Sequence, residues 1–154
     1  MSTLMDPSVH GMPGRVMALD YGRRRIGVAA SDPLRVVAQP RGVVRAGSPP
    51  VEPGEALLER VRELEPAVIV VGVPLHMDGS EGEMALEARE FARRLGAATG
   101  IETVVRDERL TTVEAERMIR ALDLPKRKRE DRGLRDAMAA AVLLEDYLRE
   151  ETTE

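Results

Sequence analysis

Three acidic residues lie far apart in the chain, each at the end of an apolar segment. Asp20 closes the first apolar run of "RVMALDYGRRRIGVAASD", Glu108 follows the run "IETVVRD", and Asp136 opens the alanine-rich "LRDAMAAAVLLEDYLRE". Aspartate is depleted in strands, and burying it as an ion is costly unless its charge is compensated. Asp20 therefore needs a partner. Carboxylate oxygens are hard donors suited to Mg²⁺ and Mn²⁺. Two such ions roughly 3.5–4 Å apart activate an attacking water and stabilise the leaving oxygen of a phosphodiester. The expected site is thus a two-metal centre of Mg²⁺ or Mn²⁺. Asp20 bridges the ions, and Glu108 and Asp136 each complete one shell as catalytic and metal-ligating residues. Three clustered acids would repel one another without cations, which is itself a reason to expect metal.

Each acid also has a plainer reading. Asp20 can form an Asx turn before Gly22. Strand neighbours face opposite sides, so either Asp107 or Glu108 points inward. Asp136 can serve only as an acid near a helix N-terminus. Asp32 before Pro33 and Asp78 before Gly79 read as turn residues. His76, in the loop "PLHMDGS", suits a phosphate contact or proton transfer, or a purely structural role.

Net charge is −4, so bulk charge does not drive this chain onto nucleic acid. Basic residues are nonetheless clustered. Arg23, Arg24 and Arg25 follow Gly22, and Lys126, Arg127, Lys128, Arg129, Arg132 and Arg135 form a second island. With Arg109 beside Glu108, these are the candidate nucleic-acid-binding residues, because the arginine fork matches phosphate geometry. The plain alternative is a solvated surface. The aromatics are Tyr21, Phe91 and Tyr147, too few for a base-stacking platform, so binding would rest on backbone and shape.

The elements that must bring the acids together can be read from periodicity. Residues 1–14 form a leader broken by Pro7, Gly11, Pro13 and Gly14, residues 15–150 one domain, and 151–154 a tail. Val16–Asp20, Ile26–Ser31 and Val36–Arg45 read as strands, the first two joined by a hairpin and the third carrying Pro40 at an edge or bulge. Leu57, Leu58, Val61 and Leu64 form a helical stripe, and Ala67–Val73 a buried strand. Ser80 with Glu83 predicts a capping box for a helix bearing Met84, Ala88, Phe91 and Leu95, ended by Gly96 and Gly100. A strand then runs to Asp107–Glu108. Thr111 with Glu114 caps a helix to Leu122, and a last helix follows, its Ala137, Ala139 and Ala140 allowing close approach to the sheet. The order β-β-β-α-β-α-β-α-α, with antiparallel leading strands and then βα units, predicts an α/β fold: a ribonuclease H-like mixed sheet with helices packed on it.

No apolar run reaches the ~20 residues of a membrane span, so no membrane partner is expected. The absence of cysteine and of a signal-peptide pattern fits a cytoplasmic protein.

The blocks "ALDYGRRRIGVAASD", "VVGVPLHMDGS", "RDERLTTVEAE" and "RDAMAAAVLLEDYL" resemble, in order, the four motif blocks of the YqgF/RuvX family. These are bacterial ribonuclease H-like proteins described as pre-16S rRNA nucleases and Holliday-junction resolvases. The resemblance spans Arg15 to Arg149. It implies a divalent-metal-dependent endonuclease with Asp20, Glu108 and Asp136 at the acidic positions. It further implies a cytoplasmic role in maturing the 5′ end of 16S rRNA, or in resolving junctions. The expected partner is structured RNA or branched DNA. Symmetric resolution of a four-way junction would favour a homodimer, whereas rRNA trimming needs none. His76 stands where the family commonly has asparagine, and Leu134 where a lysine often precedes the final aspartate by two positions. Two rival readings stand beside this one. An ATP-binding turn of the actin-like kind would use the same "DYG" but needs a second domain. A non-catalytic nucleic-acid or ribosome- and transcription-associated adaptor would bind specifically in EDTA without cleaving.

Overall fold

The computed structural model describes residues 13–76, 78–108, 111–129 and 131–152. Among these described residues five strands and five helices follow one another: β1 (Val16–Asp20), β2 (Arg25–Ser31), β3 (Ala38–Arg45), α1 (Glu55–Leu64), β4 (Val68–Val73), α2 (Glu83–Thr99), β5 (Glu102–Asp107), α3 (Thr111–Ala121), α4 (Lys126–Arg129) and α5 (Arg132–Thr152). The strands form one mixed sheet in the order β3-β2-β1-β4-β5. β1 pairs antiparallel with β2 and parallel with β4, β2 pairs antiparallel with β3, and β4 pairs parallel with β5. This is the α/β architecture expected from the element order, with α4 as an added single turn. Lys128 donates its backbone N–H to the Pro125 carbonyl, and the fixed φ of proline suits the start of such a turn.

The pleat sorts the core into two layers. Met17, Leu19, Ile26, Val28, Ile69 and Val71 point to the face covered by α1 and α2, where Leu57, Val61, Phe91 and Leu95 meet them. Val16, Ala18, Ala29, Val68 and Val70 point to the opposite face and pack on Ala140, Ala141, Leu143, Leu144 and Leu148 of α5. α3 lies outside α5, joined through Ala115, Ile119, Met138 and Ala139. Ala139 therefore serves helix–helix packing rather than the close approach to the sheet expected from its size.

Several local expectations are corrected. α2 begins at Glu83 with Gly82 as its N-cap and no side-chain cap bond. Ser80 instead donates its hydroxyl to Asp78 Oδ1 at 2.7 Å, so the Ser80–Glu83 capping box does not form. Gly96 lies inside α2, and Gly100, in the left-handed conformation with φ of 72°, closes it. β3 begins at Ala38, two residues later than expected, because Asp32 holds the preceding loop: its Oδ1 accepts the Val36 and Val37 N–H groups at 2.8 Å each. What caps α3 lies outside the described residues. α5 starts cleanly, with Asp131 Oδ1 accepting the N–H groups of Gly133 at 2.7 Å and Leu134 at 3.2 Å, the geometry of an N-cap aspartate.

Candidate active site

β1 is the central strand, and Asp20 is its last residue, on the α5 face in line with Val16 and Ala18. Its cross-strand partners are Gly27 on β2 and Gly72 on β4. These glycines clear the sheet on both sides of the carboxylate. A Cβ on Gly27 would overlap the Asp136 backbone carbonyl, so α5 can pass directly over β2 there. A Cβ on Gly72 would overlap the Glu108 carboxylate, which occupies that space. One missing side chain admits the helix that carries Asp136, and the other admits Glu108.

Alternation along β5 decides between the two acids at its end. Arg106 and Val104 lie on the α5 face, Arg106 reaching Asp146 and Glu150 and Val104 packing into the α5 cluster. Glu108 has the same parity and extends the ladder, its N–H donating to the Val73 carbonyl at 3.2 Å. It is buried, 9 % exposed, while Asp107 is exposed. Glu108 donates a carboxyl hydrogen bond to Asp20. Burial, followed by the Asp20 charge, raises Glu108 to about 10. Burial raises Asp20 to about 6, with the nearby Asp136 charge adding to the rise and the bond from Glu108 opposing it. The pair shares a proton because two buried like charges cannot both ionise.

Asp136 approaches from the second turn of α5 and is held by Arg25, whose Nε lies 2.5 Å from Oδ2. Among the described residues no three acidic or imidazole groups converge tightly enough to ligate one ion. Asp20 and Glu108 meet directly, whereas Asp136 is close enough to Asp20 to act on it by charge and is tied to the guanidinium. The donor set still suits a hard divalent cation. All three donors are carboxylates, and two of them share a proton whose place a cation can take.

An open cleft of about 440 Å³ borders Asp20 and Asp136 and is lined also by Tyr21–Arg25 and Arg132. Its arginines differ. Arg23 grips both oxygens of Glu87 with Nε and Nη2, and Tyr21 donates its hydroxyl to the same carboxylate at 3.1 Å. The Tyr21 ring rests 4.9 Å from that of Phe91, which fixes the loop after β1 onto α2. Arg24 and Arg132 are exposed in the cleft and make no side-chain ion pair with a described residue. Arg135 lines an adjoining recess with Asp20 and Asp136. Lys126, Arg127 and Lys128 are exposed on α4, outside the cleft lining. Arg109 and the side chain of Arg129 lie outside the described residues.

His76 does not line the cleft. A Cβ on Gly82 would lie 2.7 Å from its Nε2, so the ring covers the start of α2. Leu134 packs with the α3 cluster, an apolar contact at a position the resemblance associates with lysine. Arg45 was not singled out in the sequence. It is the register partner of Arg25 at the end of β3, exposed and on the same face. Hairpin register joined to alternation is the signal that finds it. Gly27 and Gly72 also passed unremarked, since nothing local marks a glycine that faces a carboxylate from the next strand.

The sheet order, with Asp20 at the end of the central strand, Glu108 just after the edge strand β5 and Asp136 on α5, defines a ribonuclease H-like α/β protein with an acidic candidate site. The family model described as "RuvX: Holliday junction resolvase" matches residues 14–150, and the chain belongs to that family. It is 43 % identical over 136 residues to a protein of Roseiflexus sp. (strain RS-1), covering 88 % of this chain and 94 % of that one. It is 44 % identical over 134 residues to one from Anaeromyxobacter sp. (strain Fw109-5), covering 87 % and 96 %. Both carry the name "Putative pre-16S rRNA nuclease". Among solved structures, T. thermophilus RuvC in complex with Holliday junction substrate is similar in fold, with a TM-score of 0.53, 18 % identity, and coverage of 90 % of this chain and 96 % of that one.

Proposed function

We propose that this chain is a divalent-metal-dependent endonuclease acting on structured nucleic acid. Its substrate is the 5′ region of pre-16S rRNA, a four-way DNA junction, or both. The observation that carries the proposal is the proton-sharing Asp20–Glu108 pair at the end of the central strand, with Asp136 delivered beside it by α5. Asp20, Glu108 and Asp136 would hold Mg²⁺ or Mn²⁺. A bound divalent cation supplies Lewis-acid stabilisation of charge on the phosphate oxygens. Glu108 gives up the shared proton when the acids ligate.

Arg24 and Arg132, which line the cleft, bind flanking phosphates, Arg135 in the adjoining recess extends that cationic lining, and Arg45 adds a charge beside Arg25 at the end of β3. Lys126, Arg127 and Lys128 contact phosphates further from the scissile bond, where exposure makes each contact weak and salt-sensitive, and Arg109 and Arg129 add to the phosphate contacts by their charge alone. Arg23, already paired to Glu87, positions the loop rather than the substrate. The setting is the cytoplasm. No helix among the described residues is long and apolar enough to cross a membrane. Two copies related by two-fold symmetry would suit paired cuts in a junction.

Cleavage of a matched panel tests the reading: four-way DNA junction, duplex DNA and precursor-rRNA fragment, each with Mn²⁺, Mg²⁺ or EDTA. Asp20→Asn abolishes cation-dependent cleavage while the circular dichroism spectrum stays native. Undiminished cleavage by that variant removes the proposal. A second reading, a non-catalytic adaptor, is favoured by the Arg25 tie on Asp136, which keeps the third acid from a shared ligand set. Specific binding in EDTA with no cleavage in either cation would support it.

A further inference from the structure

Asp136 has two claimants. Arg25 begins β2, on the sheet face that carries Gly27 and Asp20, and reaches Asp136 through Nε alone at 2.5 Å. Neither terminal nitrogen of its guanidinium donates to a described residue. Arg23, two positions earlier, instead holds Glu87 with Nε and Nη2 against both carboxylate oxygens. A fork spent on both oxygens is oriented by its partner, whereas one touching through Nε is easily turned away. The Arg25 and Asp136 side chains are 33 % and 27 % exposed, so the tie opens onto the cleft and water screens it. Asp136 itself is less adjustable, because its backbone is seated over Gly27.

We propose that Arg25 is a displaceable internal counter-ion for Asp136. In the cation-free protein its guanidinium neutralises the third carboxylate. A divalent cation claiming Asp136 evicts it, and the freed fork turns into the cleft toward a phosphate of the nucleic-acid strand. Cation and nucleic acid then strengthen each other's binding through one side chain, as linkage requires. The inference rests on reading the three acids as cation ligands and adds a role for Arg25 that this reading does not need.

Calorimetric titration of Mn²⁺ alone into the full chain tests the first half, using wild type, Arg25→Gln, Asp136→Asn and the double variant. Removing the competing cation tightens Mn²⁺ binding in Arg25→Gln by roughly three- to tenfold. That gain vanishes in the Asp136→Asn background. Arg25→Lys, which keeps the charge but loses the fork, falls between the two, and thermal melts in EDTA establish that each variant is folded. Unchanged or weaker Mn²⁺ binding in Arg25→Gln overturns the proposal, as does a gain that survives Asp136→Asn. The second half is read by anisotropy of a labelled four-way DNA junction in EDTA and in Ca²⁺. Wild type gains affinity with Ca²⁺, Arg25→Gln loses most of that gain, and a fully retained gain overturns this half. If wild type and Asp20→Asn take up Mn²⁺ equally, the assignment of the acids itself fails. If only the Arg25 comparisons are flat, the counter-ion role fails alone.

Discussion

Asp20 and Glu108 are ordinary carboxylates placed where neither can be ordinary. Burial, with the Asp136 charge beside it, raises Asp20 to about 6, and burial, with the Asp20 charge, raises Glu108 to about 10. Between the usual carboxylate range and those values the folded chain binds more protons at this pair than the unfolded chain does. The pair's contribution to stability therefore falls as pH rises from the usual carboxylate range, first through about 6 and then, for Glu108 alone, toward about 10. Asp20→Asn removes the repulsion. Its melting temperature in EDTA should exceed that of wild type, with the gap widening from about pH 5 to about pH 8 and reaching a few degrees, given roughly 2–4 °C per kcal/mol at this size. Mn²⁺ should close the gap by stabilising wild type only. A wild type that melts higher than the variant in EDTA at the upper pH would contradict the shared-proton arrangement.

At the scale of elements, the two glycines beside Asp20 make separable predictions. Gly27→Ala pushes against the backbone of α5, which has no means of yielding locally, so the helix must shift and the melting temperature should drop by many degrees. Gly72→Ala pushes mainly against the end of the flexible Glu108 side chain, so the fold should persist while Mn²⁺ affinity falls at least tenfold. Calorimetry and thermal melts on the two variants distinguish these outcomes. The strands themselves were legible, because Val16–Asp20 and the run to Val73 are continuous apolar segments of strand length. That Asp20 and Glu108 could meet at the rim of the sheet was also legible from the element order, whereas the strand β4 between them, bridged over Gly72, was not. Which of Asp107 and Glu108 faces Asp20 was not, since parity is set by the pairing of β5 with β4 rather than by the two side chains. The start of α2 was misread for a related reason. Ser80 and Asp78 satisfy one another within the turn, leaving Gly82 at the cap.

For the whole molecule, the net charge of −4 hides a one-sided cleft. Arg24 from the loop after β1 and Arg132 from the start of α5 line it, with Arg135 in the adjoining recess, while Glu83 and Glu87 lie on α2, close enough to act on Arg23. Replacing both Arg24 and Arg132 with alanine should lower the salt-dependence slope of nucleic-acid binding by about 2, one per lost phosphate contact, across all sequences. Arg23→Ala should leave that slope nearly unchanged and instead loosen the loop after β1. Equal effects from the two changes would mean that Arg23 leaves Glu87 for the substrate. Finally, Arg106, which clasps Asp146 and Glu150 near the far end of α5, lies two residues before Glu108 on the same side of β5. Inserting a single residue upstream in β5 would turn both outward together, unfastening the helix and withdrawing the acid in one stroke. This strand can drift in composition, but its length is not free to change.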